Sequence, residues 1–287
     1  IAAEARDAGA ELIKPGVSFL EIAEHVESEI LESGASLSFP VNISINELAA
    51  HYSPRNDDKL VFKRGDVVKL DVGSHVDGYI ADTAITIEVE THEYDDMIKA
   101  SADALNAAIG LMRGGINLSE IGKTVEETIK SHGYSPIDNL TGHSLERYEL
   151  HSGMSVPSVS SMVSHVKPKI GDAIAIEPFA TNGSGHVVSG EGSNIYMLGS
   201  PIKSRFVRDN RSRILFNKMR ARFRTLPFAQ RWCTDMSGNI NMSLRRLSFL
   251  GLITHYSQLI EQNRGIVTQK EHTVIVKEDG CEVTTAT

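Results

Sequence analysis

Five side chains in this sequence have types and spacing suited to holding a cation. Asp71 and Asp82 stand in neighbouring apolar segments, KLDVG and YIADTAIT, joined by SHVDG. Glu177 interrupts AIAIEPF, Glu271 precedes HTVIV, and His143 follows a glycine in NLTGHSLERYELHSG. Acids flanked by Val, Ile, Leu and Ala are uncommon, because a buried carboxylate loses its hydration unless it is paired or bound to metal. Strand side chains alternate faces, and residues opposed across a hairpin share one. A loop over 75–78 sets Asp71 directly opposite Asp82, and a two-residue Asp77-Gly78 turn sets them one diagonal step apart on the same face. Two carboxylates so placed repel, and a divalent ion converts that repulsion into binding.

Each residue also has a plainer reading when taken singly. The hairpin acids could be solvated, Glu177 or Glu271 could be a satisfied core acid, and His143, His51 and His151 could be structural or exposed histidines. Four strand acids and an imidazole together point to a site. Oxygen-rich donors with one nitrogen suit Mn²⁺, Fe²⁺ or Co²⁺, with Zn²⁺ possible in principle. The set is too large for one tetrahedral zinc and lacks the cysteines of a structural zinc site. It suits two ions about 3.5 Å apart, which generate a nucleophile from water and polarise a carbonyl, so the chemistry is hydrolysis.

These acids need strands to carry them. The sequence predicts helices over 1–13, 20–34, 95–111 and 118–132, with Ser18 and Glu21 as a capping box before the second. Strand patterns fall at 37–39, 41–45, 67–72 and 79–89, near Ile137 and Tyr148, at 173–179 and 195–198, and again from 265 to 276 with a short strand at the end. FKRGDVVKLD (62–71) echoes VKPKIGDAIAIE (166–177): a basic turn, Gly-Asp, and an acid five residues after that Asp. Two duplicated α/β halves would each present an acid in this way.

Composition narrows the class. A chain of 287 residues with 41% hydrophobic content supports a substantial core. No apolar run approaches a membrane span, the first residues read as an amphipathic helix without a signal-peptide core, and two cysteines make no disulfide framework. A cytoplasmic protein is expected. The net charge of −8 is unevenly spread, with about ten basic residues and one acid, Asp209, between 203 and 231.

The ligand order Asp71, Asp82, His143, Glu177, Glu271, in the words NISINELAAHYSP, KLDVGSHVDGYIADTAIT, GHSLERYELHSGMSVP, AIEPFATNGSG and QKEHTVIV, resembles the type II, archaeal-type methionine aminopeptidases and their pita-bread relatives. The likeness spans nearly the whole chain. It implies an α+β pita-bread fold: pseudo-two-fold duplicated α/β halves with a curved, mainly antiparallel sheet. It implies a catalytic domain over 1–200 and 263–287, and a helical insertion subdomain over 201–262.

The resemblance also assigns roles. Asp71 would bind one metal, Asp82 and Glu271 would bridge two, and His143 and Glu177 would complete the second. Two divalent ions (Co, Mn, Fe or Zn) would share a hydroxide nucleophile. Glu177 would carry the proton, and His151 would contact the scissile amide or its tetrahedral intermediate. His51 would lie near the substrate's second residue, and Phe39 and Ile195 would line the methionine pocket. The substrate would be the N-terminal Met of peptides and nascent proteins, and the enzyme a monomer. Two departures from the family wording, Gln269-Lys270 before the last acid and Ser152 after His151, are not expected to touch a ligand.

The basic stretch 203–231 reads first as a solvated helical face and second as a ribosome contact. Two other functions fit the same ligands: a prolidase or Xaa-Pro aminopeptidase, and a non-catalytic pita-bread adaptor for RNA or the ribosome. The first usually carries a large extra N-terminal domain, which is not expected here, and the second loses ligands.

Overall fold

The computed structural model describes residues 1–161, 166–199 and 209–287. Helices α1 (Ala2–Leu12) and α2 (Phe19–Glu32) open the first half. Ser18 Oγ accepts the Glu21 N–H at 3.0 Å and so starts α2. Strands β1 (Ser36–Leu37), β2 (Asn42–Ile45), β3 (Leu48–Ala50), β4 (Val67–Val76) and β5 (Tyr79–Glu88) follow. Antiparallel β4 pairs with β1 and β2 on one edge and with β5 on the other. Phe19, Ile22 and Val26 of α2 are buried against Val68, Leu70 and Val72 of β4.

The second half repeats the plan. Helices α3 (Asp95–Leu111) and α4 (Leu118–Ser131) pack on an antiparallel sheet in the order β16-β15-β9-β7-β8. Its strands are β7 (Gly142–Leu145), β8 (Ser155–Val156), β9 (Ala173–Ile176), β15 (His272–Val276) and β16 (Cys281–Val283). Between them run β6 (Ser135–Pro136), β10 (Phe179–Thr181) and β14 (Val267–Gln269), which form a third small sheet.

The echoed words form matching turns. Gly65 and Gly171 have φ of +88° and +93°, a region open to glycine. Asp66 and Asp172 each accept a backbone N–H three residues upstream at 2.8 Å, from Lys63 and Lys169. Gly65 N–H donates to Val89 and Gly171 N–H to Val276, each at the end of the partner strand, β5 or β15. The halves meet where Ala84 and Glu271 make a single antiparallel bridge.

A fourth sheet, β12-β11-β13-β3, flanks this body and contains β11 (Val187–Leu198), β12 (Phe228–Ala229) and β13 (Ile253–Glu261). Helices α5 (Asn210–Phe223) and α6 (Ile240–Phe249) bury Phe216, Met219, Leu244 and Leu247 in a core of their own. The stretch 201–262 is thus helical only in part, because β13 lies within it and pairs with β11 and β3. Tyr148, expected near a strand, sits instead in a turn closed by the Glu146–Glu149 bridge, with φ of +60°. Among the described residues no helix is long and apolar enough to cross a membrane.

Candidate metal centre

The hairpin turn is the two-residue Asp77-Gly78, so Asp71 opposes Ala84 and Asp82 opposes Gly73. The two acids are therefore one diagonal step apart, on one face. Asn42 of β2 lies opposite Asp71 on its other edge. Gly73 leaves room for Phe39: a Cβ there would sit 2.1 Å from the Phe39 ring. His143 lies on β7 opposite Ala175, Glu177 directly follows β9, and Glu271 falls between β14 and β15.

All nine residues singled out from the sequence line one cavity. Asp71, Asp82, His143, Glu177 and Glu271 meet there, with His51, His151, Phe39 and Ile195 around them. Donor atoms of Asp82, His143 and Glu271 lie within 4.8 Å of one another. His143 Nε2 is 3.7 Å from Asp82 Oδ2 and 3.6 Å from Glu177 Oε1. Asp82 and Glu271 hydrogen-bond each other.

The electrostatics follow from crowding in a dry place. Burial raises Asp71 to about 7. Burial first, and then neighbouring charge (Asp71 on Asp82, Asp82 and Asp71 on Glu177, and Asp82, Glu177 and Asp71 on Glu271), holds these three well above the usual carboxylate range. Burial lowers His143 to about 3 and His51 to about 4, and lowers His151 as well, so all three are neutral imidazoles at pH 7. The His51 ring meets Tyr256 edge-on at 5.2 Å, and its Nδ1 lies 3.3 Å from the Ser257 carbonyl. A carbonyl only accepts, so Nδ1 carries the proton and Nε2 is left as an acceptor. The His151 ring centroid is 4.2 Å from that of His143.

Residues 1–238 match metallopeptidase family M24. The methionine aminopeptidase of Methanocaldococcus jannaschii is 46% identical over 285 residues, 99% of this chain and 95% of that protein. The methionine aminopeptidase of Pyrococcus abyssi is 44% identical over 287 residues, 99% and 96% of the two chains. The chain belongs to metallopeptidase family M24, among its methionine aminopeptidases. The crystal structure of the Thermotoga maritima methionine aminopeptidase covers 99% of this chain and 92% of its own with a TM-score of 0.71, and at 21% identity it speaks for the fold. The paired halves and curved antiparallel sheets are the pita-bread arrangement.

The donor set fits the metal that this metallopeptidase family implies. Asp71 Oδ1 is buried with no hydrogen-bond partner, and carboxylate oxygens of Asp82 and Glu177 lie 3.7 and 3.6 Å from His143 Nε2. Such a cluster is unfavourable when ionised and empty, and favourable around a cation.

Gln269 departs from expectation. Its buried side-chain amide donates to Glu177 Oε2 at 3.3 Å and to Glu271 Oε2 at 3.4 Å, so it does touch two of the acids. Ser152 reaches Ser144, beside His143, through a 2.7 Å hydroxyl contact. Lys270 points away, to the neighbourhood of Arg6 and Asp7. The cavity also includes Asn42, Leu150, Pro227 and Tyr256, which the sequence reading did not single out. Strand pairing with Asp71 was a usable signal for Asn42. Pro227 and Tyr256 arrive from distant segments with no local mark.

Proposed function

We propose that this chain is a dimetal aminopeptidase that removes the N-terminal methionine from peptides and nascent proteins. The observation that carries the reading is the convergence of four acids, His143, His51 and His151 on one cavity. Identities of 46% and 44% over 99% of the chain to proteins named methionine aminopeptidases favour it over an Xaa-Pro peptidase or a silent adaptor.

In this reading Asp71, Asp82, His143, Glu177 and Glu271 would hold two divalent ions, Asp71 serving one, His143 and Glu177 the other, and Asp82 and Glu271 both; cobalt, manganese, iron and zinc all suit the donors. Bound there, the ions supply a nucleophile from water at neutral pH and polarise the scissile carbonyl. The other tasks fall to the protein. Glu177, whose proton affinity is raised by burial and by Asp82 and Asp71, takes a proton and returns it to the leaving amine. The neutral His151 donates an N–H to the oxyanion, a contact worth about 3 kcal/mol in comparable sites. The free Nε2 of His51 accepts the N–H of the substrate's second residue. Phe39 and Ile195, 5% and 3% exposed, form an apolar seat for the methionine side chain and keep water from it.

In this reading the stretch 201–262 is an insertion into the catalytic body, of which residues 209–262 are described. The exposed Arg211, Arg213, Lys218 and Arg220 of α5 give it a basic face suited to ribosomal RNA; residues 203–208 of the basic stretch lie outside the described residues. Salt-sensitive cosedimentation with ribosomes supports that contact, and binding unchanged by reversing these four charges ends it.

The function is tested with purified protein, each ion in turn, and Met-Ala-Ser beside an Xaa-Pro substrate. Release of methionine from the first alone is expected. No release with any ion would overturn the reading.

A further inference from the structure

Glu27 of α2 and Arg231 are 6% and 8% exposed and form an ion pair between residues 204 positions apart. The pair is the centre of a larger knot. Arg231 Nη1 donates to Ser53 Oγ at 2.8 Å and to the Pro54 carbonyl at 2.9 Å. Glu27 also accepts the Trp232 Nε1–H at 2.9 Å and the Val41 N–H at 3.3 Å. Ser53 is fully buried; its Oγ donates to the Val41 carbonyl at 2.8 Å, and its N–H donates to the Ser193 carbonyl at 3.1 Å.

The Ser53, Val41 and Arg231 arms of the knot lead to segments that line the cavity. Ser53 lies two residues after His51, whose φ of +65° is left-handed and costly for a residue with a Cβ. Such a conformation persists only where its surroundings enforce it: Ala50 pairs with Leu259 before it, the Tyr52 carbonyl accepts the Ile43 N–H after it, and Arg231 holds Ser53 and Pro54 next in line. Val41 lies between Phe39 and Asn42. The segment leading to Arg231 contains Pro227, which lines the cavity, and β12, which pairs Ala229 with Ile195.

We propose that the Glu27–Arg231 pair is a positioning device that ties the insertion to α2 and thereby sets His51 and the walls of the methionine pocket. Stability alone does not call for an ion pair here, because apolar residues often replace a buried pair without loss. A guanidinium does what they do not: its planar fork engages Glu27, Ser53 and Pro54 together. A lysine ammonium is a point charge that would keep Glu27 and release the loop.

The proposal rests on the aminopeptidase reading, and Arg231→Lys tests it in the metal-loaded full chain. The manganese stoichiometry should hold and the melting temperature should drop only modestly, as the buried Pro54 carbonyl loses its donor, while kcat on Met-Ala-Ser falls about tenfold and the preference for Met over norvaline at the first residue narrows. Ser53→Ala, which leaves the ion pair intact, should lower kcat in the same sense. If both variants fold and keep kcat and Met preference within about twofold of wild type, the pair serves folding alone and the proposal is overturned. If Arg231→Lys does not fold, Ser53→Ala decides by the same criterion. Wild-type protein that releases no methionine would overturn the aminopeptidase reading itself, a separate result.

Discussion

Asp82 and Thr273 exchange two hydrogen bonds: the Asp82 N–H donates to Thr273 Oγ1 at 2.8 Å, and that hydroxyl donates to the Asp82 carbonyl at 2.8 Å. Both fix the strand that carries Asp82. Thr83 Oγ1 donates to the Glu271 carbonyl at 2.9 Å, and Thr86 Oγ1 to the Gln269 carbonyl at 2.7 Å. Three threonines thus stitch the halves together where the backbone offers one bridge. Thr273→Val keeps the shape and loses both bonds. We expect a loss of about 1–3 kcal/mol in thermal unfolding, since buried backbone groups are left unpaired. Metal affinity should weaken with it, because Asp82 and Glu271 lose their common register. Unchanged melting and unchanged metal titration would contradict this role for the seam.

Asp82→Asn and Glu271→Gln should separate activity from stability. Each removes one charge from a buried, mutually repelling group. The metal-free protein should therefore melt at the same temperature or higher. Turnover of Met-Ala-Ser should drop below about 1% of wild type, since even losing a group behind a ligand costs 10–100-fold. Near-wild-type rates in either variant would refute the dimetal assignment.

Metal-free protein should lose stability as pH rises. Asp71 is held at about 7 by burial, and Asp82, Glu177 and Glu271 are raised well above the usual range. In the unfolded chain these groups titrate near about 4. Between the two values the native state binds more protons at these acids, so their contribution is full below about pH 4 and declines through about 7 and beyond, opposed below about 6.5 by the smaller contribution of the buried neutral His51 and His143. In chelator, the melting temperature should fall from about pH 5 to about pH 8. Manganese added at the upper pH should restore it, because the ion takes the ionised carboxylates. A flat profile in chelator would argue against a buried cluster.

Periodicity carried much of this site. Strand parity joined Asp71 to Asp82, and the repeated Gly-Asp word pointed to two halves whose turns share the same bonds. The same parity, applied to Gln269 and Glu271, sets both side chains on one face, so the amide's contact with the acid was readable and was not read. Tyr148 misled because its turn depends on a positive φ, which a tyrosine does not advertise. Arg231 and Glu27 meet only in the folded chain, and nothing within a window of either residue marks the other.

Gln269 offers the sharpest test of how the site is tuned. Its amide is the hydrogen-bond donor to Glu177 that lowers that carboxyl's proton affinity against the larger effects of burial, Asp82 and Asp71. Gln269→Leu fills similar volume and removes the donor, so Glu177 should hold its proton more tightly. If Glu177 must be ionised to accept a proton, the acid limb of the kcat profile on Met-Ala-Ser moves to higher pH in the variant. Above that limb, the rate should recover toward wild type. A packing role would instead depress kcat by one factor at every pH. The comparison is read from full pH–rate profiles of wild type and variant at saturating metal. A parallel, unshifted profile would show that the amide supports the fold without tuning the acid.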